Sequence, residues 1–106
     1  MQLVAMASPA SGAVQLTVRG ELDIASAPEL EAALERIVAG PHPVLVLDLT
    51  GLTFLDCAGM RPIRTARRAL EARGGQLLVR HPIPIVERAL RLGGLAESLG
   101  AGRAGV

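Results

Sequence analysis

The residues most able to do chemistry in this chain run from Asp56 to Met60, where an acid, a thiol and two small residues follow an apolar segment. A helix that begins here would present unpaired backbone N–H groups and the positive end of its dipole. Such a surface suits an anion or an acceptor group of a partner. Because Ala58 has no hydroxyl, that position cannot be phosphorylated.

A second acid, Asp23, precedes another predicted helix, so Asp23 and Asp56 could share one surface. They could contact a partner, hold a divalent ion, or act as local caps; we expect no metal site. Cys57 lies near the predicted helix start, which can lower a thiol pKa and make the residue redox-sensitive. The alternative that we favour is a small, half-buried filler.

An enzyme has little support in the sequence. No Ser-His-Asp, Cys-His or metal-ligand constellation is recognisable, and neither a glycine-rich phosphate loop nor a dinucleotide fingerprint is present. The two histidines, His42 and His81, lie beside prolines in predicted loops and are far apart in sequence. We therefore predict a protein that is not an enzyme and needs no cofactor.

Length and charge narrow the function further. The 106 residues suffice for one domain, and 11 basic residues, all arginine, against 10 acidic ones leave a net charge of +1. This balance and a single aromatic residue, Phe54, argue against nucleic acid as a partner. One cysteine excludes an internal disulfide, and no apolar segment approaches the roughly 20 residues that span a bilayer. We expect a cytoplasmic protein without direct membrane insertion.

The apolar patterns predict the elements that position these residues, in the order β-β-α-β-α-β-α. A hairpin with a loop of about five residues is followed by a helix with a Ser26/Glu29 capping box, and then by a strand that looks covered on both faces. Pro62 predicts an irregular or delayed start for the second helix. A strand and a helix complete the order. The four predicted strands are Gln2–Ala7, Ala13–Arg19, Pro43–Leu49 and Gln76–Arg80.

These elements predict an α/β fold: a small mixed sheet of about four to five strands with about three to four helices packed on one face. We expect a single domain over 1–106, with a core over about 2–95 and a loosely ordered tail over 96–106. The predicted core joins apolar residues of the helices to those of the strands, namely Leu30, Leu34, Val46, Leu47, Ile63, Leu70, Leu78, Val86 and Leu90.

Five short motifs in this order and spacing resemble a STAS domain, the family of bacterial anti-sigma factor antagonists and of cytoplasmic domains of sulfate transporters. They span about Val14 to Leu95, and each alone is weakly specific. They are Gly20–Asp23 with Ser26–Leu30, Leu47–Asp56, Gly59, Gly74-Gly75 and Gly93–Leu95. The lack of flanking domains makes the stand-alone antagonist the most similar type.

The resemblance implies a regulatory protein that binds an anti-sigma factor of the serine-kinase type. In the family the turn reads Asp-Ser-Ser-Gly or Asp-Ser-Thr-Gly, and phosphorylation of the second hydroxyl releases the partner. Here the corresponding residue is Ala58, and Cys57 precedes it. The partner surface implied is Asp23 together with Asp56, Cys57, Ala58, Gly59 and Met60.

Three functional alternatives stay open. A chain with alanine at the phosphorylated position is either an antagonist that is always competent to bind, or a member that has lost its kinase and binds something else. It could instead be an accessory subunit of a membrane transport complex or of another signalling assembly. We expect a monomer or a weak dimer.

Overall fold

The computed structural model describes residues 1–8 and 12–99. It confirms the α/β class, with a mixed five-stranded sheet and helices packed on it. The structure adds one strand, β4, in the apolar segment directly before Asp56. The elements are β1 (Gln2–Ser8), β2 (Ala13–Leu22), α1 (Ala27–Ala39), β3 (Val44–Asp48), β4 (Leu52–Leu55), α2 (Cys57–Ala72), β5 (Gln76–Arg80) and α3 (Pro84–Leu92), followed by a helical turn over 96–99.

Strand β2 organises the sheet because it pairs with three other strands. One edge pairs antiparallel with β1, which forms the predicted hairpin. The other edge pairs in parallel first with β3, along Ala13–Thr17, and then with β4, along Gly20–Leu22. The register shifts between Gly20 and Glu21, where the partner changes. Strand β5 extends the sheet beyond β3, so the sheet order is β1-β2-β3-β5 with β4 beside the end of β2.

The hydrophobic core lies on one face of this sheet. Parallel register aligns Leu16 of β2, Leu47 of β3 and Val79 of β5, and all three belong to the same buried cluster. The helices add their apolar faces to that cluster, as the alternation of side chains in strands and the 3.6-residue repeat of helices require. Their contributions are Leu30, Ala33, Leu34, Met60, Ile63, Ala66, Leu70, Val86 and Leu90.

The predicted contact of Val46 and Leu78 with the helices was wrong, because both residues alternate onto the opposite face of the sheet. There they are aligned with Met6 and Gln15, and the four side chains line an open depression. Val46 is buried, yet it lies outside the helix-covered cluster. The expectation that β3 is covered on both faces is met at its centre, where Leu45, Val46 and Leu47 are all buried. Only the face with Leu45 and Leu47 belongs to the cluster under the helices, and Val44 on the other face is half-buried.

Helix α2 begins at Cys57 without the delay predicted from Pro62. Its first turn closes before the proline is reached, because the N–H of Met60 donates to the carbonyl of Asp56 over 3.1 Å. Pro62 then removes only the hydrogen bond to the carbonyl of Ala58, and its ring is buried.

The ordered part of the chain continues past the core boundary predicted at residue 95. The N–H of Leu95 donates to the carbonyl of Leu90 over 2.9 Å, and Leu95 and Leu99 are buried in the core cluster. Residues 100–106, the rest of the predicted tail, lie outside the described residues. Across 1–8 and 12–99, no helix has the length and apolar content to cross a membrane.

The one-sided core makes a simple prediction for stability. Leu47 is fully buried, whereas Leu92 is 79% exposed. Leu47→Ala should lower the free energy of unfolding by about 2–5 kcal/mol, because it removes buried methyl groups and leaves a cavity. Leu92→Ala should change it by less than about 0.5 kcal/mol. Urea denaturation of both variants measures the difference, and equal losses would contradict this assignment of the core.

Candidate functional site

The ends of β2 and β4 bring the two predicted acids to neighbouring positions. Leu22 pairs with Leu55 in parallel register, so Asp23 and Asp56 are the next residues on adjacent strands. The backbone N–H of Asp56 donates to the carbonyl of Leu22 over 3.3 Å, which ties the two chain segments together. The expectation that both acids lie on one side of the molecule, at strand-to-helix transitions, thus has a concrete basis in the sheet.

Glycine at position 59 allows α2 to begin directly against these strand ends. A Cβ atom built on Gly59 would lie 2.6 Å from Cγ of Leu22 and 2.8 Å from its carbonyl oxygen. Both distances are well below normal van der Waals contact, so a side chain here would push the first turn of the helix outwards. The geometry of the strand-helix junction, Asp56–Met60, therefore depends on this small residue.

Asp56 is the N-cap of α2. Its backbone is extended, and its Oδ1 accepts the N–H of Gly59 over 3.0 Å, which satisfies one of the unpaired donors of the first turn. The carboxylate charge also interacts favourably with the positive end of the helix. The local-cap alternative for Asp56 is thus what the structure shows, while a role in partner binding stays a prediction.

Asp23 organises the loop between β2 and α1 in a similar way. Its Oδ1 accepts the N–H groups of Ala25 and Ser26, each over 3.0 Å, and the hydroxyl of Ser26 over 3.1 Å. Mainly because the N–H of Ser26 stabilises the charged carboxylate, the pKa of Asp23 lies below its ordinary value. Asp23 is therefore ionised at neutral pH and holds the loop beside the junction.

The capping box predicted from Ser26 and Glu29 was wrong. Ser26 has helical backbone angles and makes no side-chain cap bond to α1. Its hydroxyl oxygen instead accepts the N–H of Asp23 over 3.0 Å, and its one proton has two acceptors within 3.1 Å, the carbonyl of Glu21 at 2.9 Å and Oδ1 of Asp23 at 3.1 Å. The serine is thus drawn back onto the end of β2, because the loop offers it closer partners than the helix does.

The remaining predicted site residues divide into exposed and buried ones. Cys57 is exposed, which contradicts the half-buried filler that we favoured, and Ala58 is half-buried. Gly59 is buried, and Met60 is 5% exposed and part of the core. Cys57 and Ala58 therefore form the accessible part of the helix start, while Gly59 and Met60 pack beneath it against the core.

Two exposed apolar residues beside the junction were missed as site residues. Ile24, directly after Asp23, is 77% exposed, and Phe54, two residues before Asp56, is 46% exposed. Large exposed apolar side chains next to a polar loop are typical of protein-interaction surfaces. Two features of the sequence could have indicated them. Ile24 lies in a loop outside any periodic apolar pattern, and Phe54 is the one aromatic residue and lies next to the turn.

The arginines of α2 do not act as one solvated strip. Arg61 and Arg68 are exposed, but Arg64 donates to the carbonyl of Gly93 over 3.1 Å. Arg67 forms an ion pair with Glu71, one helical turn further on, at 3.1 Å, and it also reaches Glu97 at 3.2 Å. Half of the cluster thus attaches the turn after α3 to α2. No group of three residues suited to hold a metal ion occurs in the described part of the chain.

Fold and site together define a class of protein: a small mixed α/β domain whose candidate site is built from two strand ends and one helix start. The STAS domain family model matches residues 6–103, nearly the whole chain. The chain therefore belongs to the STAS domain family. The family resemblance inferred from the five motifs is confirmed.

Relatives and solved structures agree with this family. The anti-sigma F factor antagonist of Lysinibacillus sphaericus is 28% identical over 83 residues, which cover 77% of this chain and 71% of that protein. An anti-sigma factor antagonist from Mycobacterium paratuberculosis is 28% identical with a TM-score of 0.72, covering 92% of this chain and 83% of the other. The antagonist SpoIIAA in its unphosphorylated form gives a TM-score of 0.77 at 22% identity, with coverages of 89% and 82%. At that identity the likeness shows the fold.

The cap at Asp56 can be tested by substitution. Asp56→Ala should lower the free energy of unfolding by about 1 kcal/mol, because the N–H of Gly59 loses its acceptor. Asp56→Asn should retain most of the stability, since asparagine caps helices about as well as aspartate. Urea unfolding at neutral pH compares the three proteins. An Asn variant as unstable as the Ala variant would mean that Asp56 acts through something other than its cap.

The lowered pKa of Asp23 predicts a pH dependence. Folding favours its ionised form, so the stabilisation is present above the ordinary aspartate value of about 3.9 and is lost as pH falls through the lower folded value. Asp48 contributes in the same direction, because the hydroxyl of Thr50 lowers its pKa. Asp23→Asn should flatten part of the loss of stability below about pH 4. Urea midpoints measured across this range for wild type, Asp23→Asn and Asp48→Asn test both groups.

Proposed function

We propose that this STAS domain is an anti-sigma factor antagonist that binds an anti-sigma factor of the serine-kinase type through the strand-helix junction. The proposal is supported by the antagonists among its relatives, one from a sequence comparison and one from a structure comparison, each 28% identical to this chain. It assigns the protein a regulatory role in the cytoplasm, without catalysis or a cofactor. Binding to the partner, and not chemistry, would be its output.

The observation that carries the proposal is the exposed rim of the junction. Cys57 and the half-buried Ala58 lie at the start of α2, with the exposed side chains of Ile24 and Phe54 next to the two acids in sequence. Apolar side chains of this size supply binding energy when a partner removes them from water. The local hydrogen bonds of the acids use one oxygen each, Oδ1, so the loops are held in place before a partner arrives.

Ala58 sets the mechanism that we propose. In a phosphorylated antagonist a group of about −1.5 to −2 charges would enter a packed interface next to Asp56, where repulsion and desolvation oppose binding. Alanine offers no oxygen for phosphate. Its methyl group is uncharged and close in size to the side chain of an unphosphorylated serine. The antagonist would then remain competent to bind regardless of kinase activity.

The test uses the purified protein and the kinase-type anti-sigma factors encoded in the same genome. Titration calorimetry should find a partner, and incubation of the wild type with that partner and ATP should leave its intact mass unchanged. Ala58→Ser should gain one phosphate and then lose affinity. Phosphate on the Asp56–Gly59 turn of the wild type would contradict the proposed mechanism.

A charged residue at position 58 should imitate the phosphorylated state. Ala58→Glu should weaken binding at least about tenfold, because it places an unpaired charge in the interface beside Asp56. Thr65→Glu, which adds the same charge on an exposed part of α2, is the matched control and should bind within about twofold of the wild type. Equal effects of the two variants would mean that the partner does not contact the junction.

The accessory-subunit alternative predicts a different outcome in the same assay. None of the anti-sigma factors would then bind, and the protein would instead be recovered with components of a transport complex. Neighbouring genes that encode a transporter would support this alternative. Ile24→Ala and Phe54→Ala should reduce binding to the anti-sigma factor, because each removes exposed apolar surface from the proposed rim.

A further inference from the structure

Strand β1 forms one edge of the sheet, and its outer side pairs with no other strand in residues 1–8 and 12–99. All of its residues pair with β2 in antiparallel register, from Gln2 opposite Arg19 to Ser8 opposite Ala13. Because the backbone groups of successive residues point alternately to the two sides of a strand, the outer side presents a row of N–H and C=O groups. Such a row fits an extended strand of another molecule.

This edge lacks the features that keep strands of different molecules apart. Gln2–Ser8 contains no charged residue, proline or glycine, and its pairing with β2 shows no register shift. Charges, prolines and bulges are the usual protection of an edge. The opposite edge, β5, has five residues, ends at Arg80 and is followed by Pro82. Pairing of β1 with β5 of another copy would also repeat without closing, whereas pairing of β1 with β1 closes after two copies.

Two-fold symmetry restricts how two β1 strands can pair. With the axis perpendicular to the sheet, the strands run antiparallel and both helix layers lie on the same side. Facing residues must then project to the same face of the sheet, so only registers that pair odd with odd and even with even positions remain. Pairing along the whole length of the strand requires the axis at Ala5, its middle residue.

In this register the open face of the sheet pairs apolar with apolar residues. Val4 faces Met6 of the second copy, and the same pair recurs on the other side of the axis. The two side chains are 53% and 66% exposed in a single chain, so pairing removes apolar surface from water. Moving the axis by one residue would place Gln2 opposite Met6, or Val4 opposite Ser8, and would pair a polar residue with an apolar one.

The helix-covered face is complementary in size. Leu3, which packs against the core cluster, faces the small Ala7 of the second copy, and Ala5 faces its own counterpart across the axis. Ala5 and Ala7 are both exposed, so the helices within 12–99 leave this edge accessible. Strand β1 is therefore its own complement on both faces, which selects a second copy of this chain over an unrelated strand.

We propose that this chain forms a weak symmetric dimer by antiparallel pairing of its β1 strands about Ala5. Backbone hydrogen bonds make the sheet continuous across the two copies, and the two pairs of Val4 with Met6 fix the register. Strand β1 lies along Ala13–Arg19 of β2, whereas the junction is built beyond Leu22, so the dimer leaves the junction free. The dimer can therefore be tested with the purified chain alone.

Cross-linking tests the register. In a Cys57→Ser background, which removes the one native cysteine, Ala5→Cys places two thiols at the axis, with Cβ atoms about 5 Å apart. Ala7→Cys is the matched control, because it changes another exposed alanine of the same strand whose two copies would lie about 14 Å apart. A short bifunctional thiol reagent should link Ala5→Cys into dimers at least about tenfold faster than Ala7→Cys.

Charges at Val4 and Met6 test the facing pair. In sedimentation over a concentration series, Val4→Lys/Met6→Lys and Val4→Glu/Met6→Glu should each weaken self-association at least about tenfold, because like charges then face each other. A mixture of the two variants should associate again, since each facing pair becomes opposite in charge. Ile85→Lys/Leu92→Lys is the matched control. It adds the same charge at exposed apolar positions of α3 and should self-associate like the wild type.

Three outcomes overturn the proposal, once circular dichroism has shown that the variants are folded. The wild type could stay monomeric at millimolar concentration, which would leave the edge of β1 unpaired. The α3 control could weaken self-association as much as the β1 variants do. Ala5→Cys and Ala7→Cys could cross-link at equal rates, which would reject the axis at Ala5.

Discussion

The contact between Gly59 and Leu22 is the constraint on which the candidate site depends. It allows the first turn of α2 to rest directly on the end of β2, while the N–H of Asp56 binds the carbonyl of the same leucine. Cap, strand end and helix start are thereby fixed within one turn of chain. With the backbone held there, Met60 is directed into the core and Cys57 and Ala58 remain at the surface.

A second set of contacts holds α2 further along its length. Arg64 and Arg67 reach the turn that follows α3, through the carbonyl of Gly93 and the carboxylate of Glu97. A side chain on Gly93 would collide with Met60, so this turn packs closely against the beginning of α2. The helix is therefore held by the sheet at its start and by the turn after α3 along one side, which leaves the junction little freedom to shift.

Much of the fold could be predicted from the sequence, because its signals are local. Alternation in β2 and the repeat of apolar residues in α2 identify these elements without tertiary information. Strand β4 escaped prediction because it has four residues and exists through pairing with β2 after a register shift. The positions of Val46 and Leu78 could not be predicted either, since an unbroken apolar run does not show which side chains face the helices.

The candidate site was predictable in position but not in its hydrogen bonds. Motif spacing located both acids at strand ends. The sequence did not show whether the hydroxyl of Ser26 would cap α1 or bind the end of β2, because that depends on the folded loop. The exposure of Ile24 and Phe54 has the same origin. It follows from how β2 and β4 end side by side, and no periodic pattern in either segment encodes that.

Residues other than Ala58 carry the structural roles in this turn, and this has an evolutionary consequence. Asp56 supplies the cap and Gly59 the close approach, so the architecture makes no demand on the half-buried methyl group of Ala58 beyond its small size. Every alanine codon differs by a single base from one of the serine codons. Under the proposed function, one such change at position 58 would remove or restore phosphorylation by a kinase while Asp56 and Gly59 keep the helix start in place.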